Sequence, residues 1–232
     1  MRDLKPARSL SQVCEPSVSE RTVIFVRHAD TPWTHSGRYQ GQTDVALSAI
    51  GIDRANEVAS RLAGLPIACV ISSPLVRALQ TATMIARALK LPSPQIEPRL
   101  TELAYGTWEG WTQSDVKRLW PDQLLLWKSK PADFEFPGGE SLRCVDDRLQ
   151  GFLSEQTGRF DSDPRPIVAV THQAVMRLVL LCARRQPLDH YRKIDVPLAA
   201  VHPIGIEQDP SGVVRLVVRE EHFGRRPEQG AL

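Results

Sequence analysis

The sequence predicts an α/β fold, a three-layer sandwich on a mostly parallel central sheet. Two observations carry that prediction. The runs TVIFV (22–26), IACVI (67–71) and PIVAV (166–170) are short, continuous and β-branched, the pattern of strands covered on both faces. The segments between and after them carry apolar residues at helical spacing, and strands alternating with helices imply right-handed crossovers around a parallel sheet.

Residues 1–20 are polar, proline-containing and aperiodic, which predicts a flexible N-terminal tail ahead of a single domain over 21–232. After the first strand, SAIGIDRANEVASRLAG places Ala55, Val58, Ala59 and Leu62 on one helical face, and Gly64 closes it. After the second strand, Leu75, Ala78, Leu79, Ala82, Ile85, Ala86 and Leu89 mark another helix, stopped by Pro92. Its start is expected at Ser72 or Ser73 as cap with Pro74 as first helical residue. SLRCVDDRLQGFLSEQ carries a helix on Leu142, Val145, Leu149, Phe152 and Leu153. AVMRLVLLCAR follows the third strand and is apolar enough to be buried. AAVHPIGI (199–206) and VVRLVV (213–218) read as a strand pair turned at Asp209-Pro210-Ser211-Gly212.

The totals exclude several classes of function. A formal charge of +2 on 232 residues gives no reason to expect nucleic-acid or membrane partners, so any basic site must be local. Cys14, Cys69, Cys144 and Cys182 form no CxxC pair, and the last three fall in apolar segments that predict small core hydrophobes. The N-terminus has no apolar signal region and no run approaches the ~20 apolar residues of a membrane span. Cytoplasmic localisation is the expectation.

Parallel sheets bind ligands beyond the carboxyl ends of their strands, so the strand exits matter most. The first ends in Arg27-His28, the second runs into Ser72-Ser73-Pro74-Leu75-Val76-Arg77, and the third ends in Thr171-His172. Arg77 then falls near a helix amino end, where a cation is poorly placed unless an anion lies between them. Two arginines and two histidines on one rim repel one another without a doubly charged partner. Phosphate fits, being tetrahedral, dianionic and matched to the guanidinium fork.

VRHADT, GRYQGQTDVALSAIG, SSPLVRALQTA, RLTELAYGTWEG, FPGGESL and VTHQAVMR resemble, in this order, the blocks of the histidine phosphatase superfamily, which includes the cofactor-dependent phosphoglycerate mutases. The resemblance spans roughly residues 22–206. It implies the histidine phosphatase (phosphoglycerate mutase-like) fold, with His28 as the nucleophile that carries the phosphoryl group. By the same resemblance Arg27, Arg77 and His172 hold the phosphate oxygens and Glu102 donates the proton. Thr34, Arg38 and Gln173 lie where the family makes further phosphate contacts, and Asp30 is expected to orient a neighbour. Neither a metal nor another cofactor is implied. The chain departs from the family at Ala29 and Gln173, where Gly is usual, and at Thr34, where Asn is common.

The resemblance also bears on activity. The mutases carry a long basic insertion between the glutamate block and the second histidine, whereas here the stretch from Glu102 to Pro137 is short, as in the phosphatase branch. The expected reaction is therefore metal-independent hydrolysis of a small phosphorylated metabolite, a sugar phosphate or similar. Mutase-type phosphoryl transfer and non-catalytic phosphate binding are the alternatives. HQAVMR and VPLAAVHPI resemble the fructose-2,6-bisphosphatase branch, but equal spacing puts Trp120, Trp127 and Pro131 where that branch reads a second phosphate. Trp108, Trp111, Trp120 and Trp127, within a cap segment of about 103–140, are candidates for the cleft mouth, although for any single one packing in the cap is the stronger expectation. The expected partner is a small phosphorylated substrate. Oligomeric state is open, with a homodimer as the candidate assembly.

Overall fold

The computed structural model describes residues 21–208 and 214–219. The tail at 1–20 and the turn at 209–212 fall outside the described residues. A six-stranded sheet runs in the order β3-β2-β4-β1-β5-β6. Its strands are β1 (Thr22–Arg27), β2 (Val70–Ser72), β3 (Gln95–Ile96), β4 (Ile167–Thr171), β5 (Val201–Gln208) and β6 (Val214–Val218). The first four are parallel neighbours, while β5 pairs antiparallel with β1 and β6 antiparallel with β5.

Alternation along the strands builds two cores. Ile24, Val26, Val70, Val168 and Val170 face α2 (Ala49–Leu62) and α3 (Val76–Ala88), where they meet Val58, Leu62, Ala82 and Ile85. Val23, Phe25, Ile167 and Ala169 point to the opposite layer, which holds α6 (Leu142–Ser162) and α7 (Gln173–Ala183). Each such Phe, Leu or Ile side chain removed from water contributes about 1.5–3 kcal/mol. Helix layers on both faces explain why the three strands read as unbroken apolar runs rather than alternating ones.

The helices follow their patterns. Ser48 caps α2 by accepting the N–H of Gly51 at 3.1 Å. Gly51 lies where α2 crosses the chain leaving β1: a Cβ there would stand 2.0 Å from the Asp30 carbonyl oxygen. The apolar face of α6 continues beyond Leu153 to Phe160, making a helix of 21 residues.

Three expectations need correction, and one strand was not foreseen. IACVI yields only a short strand beginning at Val70, because Ile67–Cys69 approach the sheet before joining it. Helix α3 begins at Val76, with Leu75 at its cap position and no hydrogen bond from its own side chain. Asp44, from the preceding loop, accepts the Val76 N–H at 2.7 Å and does the capping instead, a tertiary cap that local sequence does not announce. The two-residue β3 was not predicted. Cys144 and Cys182 are exposed, since each sits off the apolar stripe of its helix, while Cys69 is half-buried and packs against the core.

The segment 103–140 folds as α4 (Gln113–Leu119) and α5 (Pro121–Ser129) with short 3-10 turns on either side. It packs through aromatic rings. Trp108 lies 5.1 Å from Phe136 and 5.7 Å from Phe134, and Trp127 lies 4.9 Å from Phe136. A four-residue helix, α1 (Pro32–His35), follows β1.

Candidate active site

Sheet register brings the two histidines together. Arg27 pairs with Thr171 across the parallel β1–β4 ladder, so the next residues, His28 and His172, leave neighbouring strands side by side. Their ring centroids are 5.1 Å apart. On the other side of β4, Ser72 pairs with Val170, which sets Ser73 beside Thr171 and its hydroxyl 2.7 Å from His172 Nε2. Three strand exits thus meet at one point.

A cavity of about 530 Å³ opens above them, lined by Arg27, His28, Arg77, Glu102 and Gln173 among others. Thr34 and Arg38 also line it. His172 is fully buried beneath, against His28.

Hydrogen bonds bear on the state of each ring. His28 Nδ1 lies 2.7 Å from the Ala29 carbonyl oxygen; a carbonyl only accepts, so Nδ1 carries the proton and Nε2 keeps its lone pair. Ser73 Oγ accepts the Leu75 N–H at 3.4 Å. It can then donate to His172 Nε2, which leaves the proton on Nδ1, a buried atom with no protein partner. Burial, then Arg77, then Arg27, hold His28 well below its ordinary proton affinity, against a smaller opposing effect of the Ala29 hydrogen bond. Burial, Arg77 and His28 do the same to His172. Both rings are neutral at pH 7.

The arginines are anchored by carbonyls rather than carboxylates. Arg27 Nη1 donates to the Val196 carbonyl at 2.5 Å. Arg77, fully buried, donates from Nη1 to Thr43 O at 3.0 Å and from Nη2 to Gly41 O at 2.6 Å. The Nε of each is buried and has no protein partner. Carbonyl acceptors orient a guanidinium without cancelling its charge, so the pair keeps its positive field for a ligand.

Glu102 is buried, and its Oε1 accepts the N–H groups of Leu103 at 2.9 Å and Ala174 at 3.1 Å. Ala174 lies in the first turn of α7, so the carboxyl sits at the positive end of that helix. Arg148 holds the backbone beneath, donating to Arg99 O at 2.6 Å and Glu102 O at 3.2 Å, while Glu140 pairs with Arg148 and accepts the Ala104 N–H at 2.9 Å.

Other predicted residues are placed less centrally. Thr34 lines the cavity, but its hydroxyl donates to Thr31 O at 2.8 Å in the capping box of α1. Arg38 is exposed at the rim and gives one N–H to Gly110 O. Asp30 is buried, in an ion pair with Arg54 at 2.9 Å and 3.4 Å from the ring of His35, and does not line the cavity. Ala29 packs with Leu47 and Ala55, which gives its methyl group a place. Of the four cap tryptophans only Trp127 lines the cavity: Trp108 is buried in the aromatic core, and Trp111 and Trp120 pair with each other at 6.3 Å.

Sequence reading missed Arg177, Arg192, Asp195 and Tyr105, all of which line the cavity. Arg177 had a signal: it is the one charged residue of α7 and lies one turn after Gln173, on the same face. Its Nε donates to Ile194 O at 2.8 Å, and its guanidinium stacks 5.0 Å from the Tyr191 ring. Arg192 and Asp195 lie in an irregular segment with no periodicity to read. Among the described residues no group of three His, Cys, Asp or Glu side chains is arranged to hold a metal ion, and no helix is long and apolar enough to cross a membrane.

Comparison with known proteins shows the family and the fold. The profile of the histidine phosphatase superfamily (branch 1) matches residues 23–219. Phosphoserine phosphatase 1 of Hydrogenobacter thermophilus is 37% identical over 161 residues, covering 69% of this chain and 74% of that protein. The metal-independent phosphoserine phosphatase of Arabidopsis thaliana is 37% identical over 172 residues, covering 72% and 69%. The native structure of a mycobacterial glucosyl-3-phosphoglycerate phosphatase superposes with a TM-score of 0.76 at 25% identity, over 85% of this chain and 96% of that one.

Proposed function

Because the chain belongs to the histidine phosphatase superfamily, branch 1, we propose that it hydrolyses phosphomonoesters of small metabolites through a phosphohistidine formed on His28. The observation that carries this is the pairing of His28 and His172, 5.1 Å apart, with Arg27 and Arg77 beside them and buried donors on three of these four side chains lacking protein partners. Buried donors are nearly always paired, and a phosphate group bound between these residues would supply acceptors for them.

In the first step His28 Nε2 attacks phosphorus and the bond to the ester oxygen breaks. Glu102 gives its proton to the departing alkoxide, which leaves poorly without one. In the second step water attacks the phosphohistidine, Glu102 takes the water's proton, and the P–N bond breaks to release inorganic phosphate. Arg27, Arg77 and His172 offset charge on the non-bridging oxygens throughout. The guanidiniums do here what a metal ion does in other phosphatases.

The cavity also bears on the class of substrate. Five arginines, Arg27, Arg38, Arg77, Arg177 and Arg192, line it against two carboxylates, Glu102 and Asp195. A phosphate held by Arg27 and Arg77 leaves Arg177 and Arg192 for a second anionic group on the leaving portion, with Trp127 as a flat apolar wall. A compact phosphorylated acid fits this lining.

A panel of phosphomonoesters assayed with EDTA, alongside His28→Ala, tests the reading. Turnover should survive EDTA and be lost in the variant. A His28→Ala enzyme close to wild type would refute the mechanism, and phosphoryl transfer between hydroxyls that outruns hydrolysis would replace phosphatase with mutase.

A further inference from the structure

We propose that Glu109, which does not line the cavity, is a positioning residue that aims Arg77 at the phosphate. The proposal rests on the reading that Arg77 grips phosphate, and its logic is geometric.

Arg77 is aimed by two carbonyls, those of Gly41 and Thr43, in a stretch with no regular secondary structure. That stretch is in turn built around one carboxylate. Glu109 Oε1 accepts the Gln42 N–H at 2.9 Å and the Tyr105 N–H at 3.2 Å. Its Oε2 accepts the Thr43 N–H at 2.9 Å and the Thr43 hydroxyl at 2.5 Å. Four donors fill the carboxylate's ordinary capacity. Gly41 confirms how close the approach is: it adopts φ +52°, and a Cβ there would overlap Glu109 Oε1.

The decisive feature is one peptide unit. The carbonyl of Gly41 and the N–H of Gln42 belong to the same planar amide, whose two ends point in opposite directions. Glu109 holds the N–H end and Arg77 holds the C=O end. A shift of the Glu109 carboxylate therefore tilts the plate on which the Arg77 guanidinium rests. The anion also polarises that amide, making its carbonyl a stronger acceptor. The same carboxylate ties the loop to Tyr105, three residues from Glu102, and Gln42 Nε2 donates to the Glu102 carbonyl at 3.3 Å. Glu109 thus sets the arginine and the proton donor relative to each other.

Glu109→Gln keeps the size of the side chain but turns an amide N–H toward donors that need an acceptor. Inorganic phosphate titrated calorimetrically into the full chain should bind about tenfold more weakly in this variant, the loss expected from one charge-assisted bond. Arg77→Lys should weaken phosphate as well, and in that background Glu109→Gln should add little, because residues acting through one another are not additive. Glu109→Asp, which keeps the charge but shortens the reach, should fall between. Wild-type phosphate affinity in Glu109→Gln, or full additivity with Arg77→Lys, overturns the proposal; so does loss of the fold in both Glu109 variants, which would make the residue a structural one. Phosphate binding does not require turnover, so a wild-type chain that binds phosphate but hydrolyses nothing would sink the proposed activity and leave this inference standing.

Discussion

The carboxyl of Glu102 accepts the backbone N–H of Ala174 at 3.1 Å, which ties the proposed proton donor to the helix that starts immediately after His172. Glu102→Gln can still accept both backbone N–H groups but has no proton to give. Turnover of alkyl phosphates should fall by about 10²–10⁴-fold. With p-nitrophenyl phosphate, whose leaving group needs no proton, the loss should be much smaller. Equal losses on both substrates would remove Glu102 from that role.

The neutral histidines make stability depend on pH. His28 and His172 are held well below 6.5 by burial and by Arg77, whereas the unfolded chain takes up protons on both near ~6.5. The unfolded state then binds more protons, so stability is full above ~6.5 and falls as pH drops, by about 1.4 kcal/mol per pH unit for each histidine. Urea midpoints between pH 7.5 and 5.5 should decline, and His172→Asn should flatten the decline relative to wild type. Parallel curves for the two proteins would contradict the assignment of neutral rings. Added phosphate, whose dianion favours the protonated rings, should oppose the decline.

Substrate choice should respond to Arg177. Replacing it with Gln removes a guanidinium held by Ile194 O and Tyr191 without touching His28. The KM for O-phosphoserine and 3-phosphoglycerate should rise about tenfold, while that for ethanolamine phosphate or glycerol phosphate should change little. A uniform change across the four substrates would show that Arg177 does not read the leaving group.

Two glycines provide a matched test of packing. A Cβ on Gly51 would lie 2.0 Å from the Asp30 carbonyl oxygen, whereas a Cβ on Gly64 meets nothing within 4 Å but takes φ +84°. Gly64→Ala should cost about 1 kcal/mol from backbone conformation alone. Gly51→Ala must displace α2 or the chain leaving His28, costing about 1–3 kcal/mol, and should lower turnover too. Denaturation curves and steady-state rates on both variants decide between these outcomes.

The parts of this molecule most legible in sequence were those whose signal is local. TVIFV, PIVAV and the helical stripes showed strands and helices because burial leaves a period. His28, Arg77 and His172 stood out because each ends a strand or opens a helix. What stayed hidden depends on contacts between distant segments. Asp44 caps α3 from another loop, Arg192 and Asp195 reach the cavity from irregular chain, and the hydroxyl of Thr34 is committed to a four-residue helix no periodicity could reveal. Cys144 and Cys182 misled because the apolar character of a helix says less than which of its faces a residue occupies.

The sheet order has a consequence for synthesis. β4 lies between β1 and β2, so these two strands, which leave the ribosome before it, are not neighbours in the finished sheet and cannot complete their pairing without it. Both must wait, edges open, for a strand that emerges about 95 residues after β2 (Val70–Ser72 and Ile167–Thr171). Long-range closure of this kind slows folding and exposes sticky strand edges in the meantime. A nascent chain arrested before β4 carries most of its helices and half of its histidine pair, and offers chaperones a longer-lived target than a domain of this size with sequential strand pairing would.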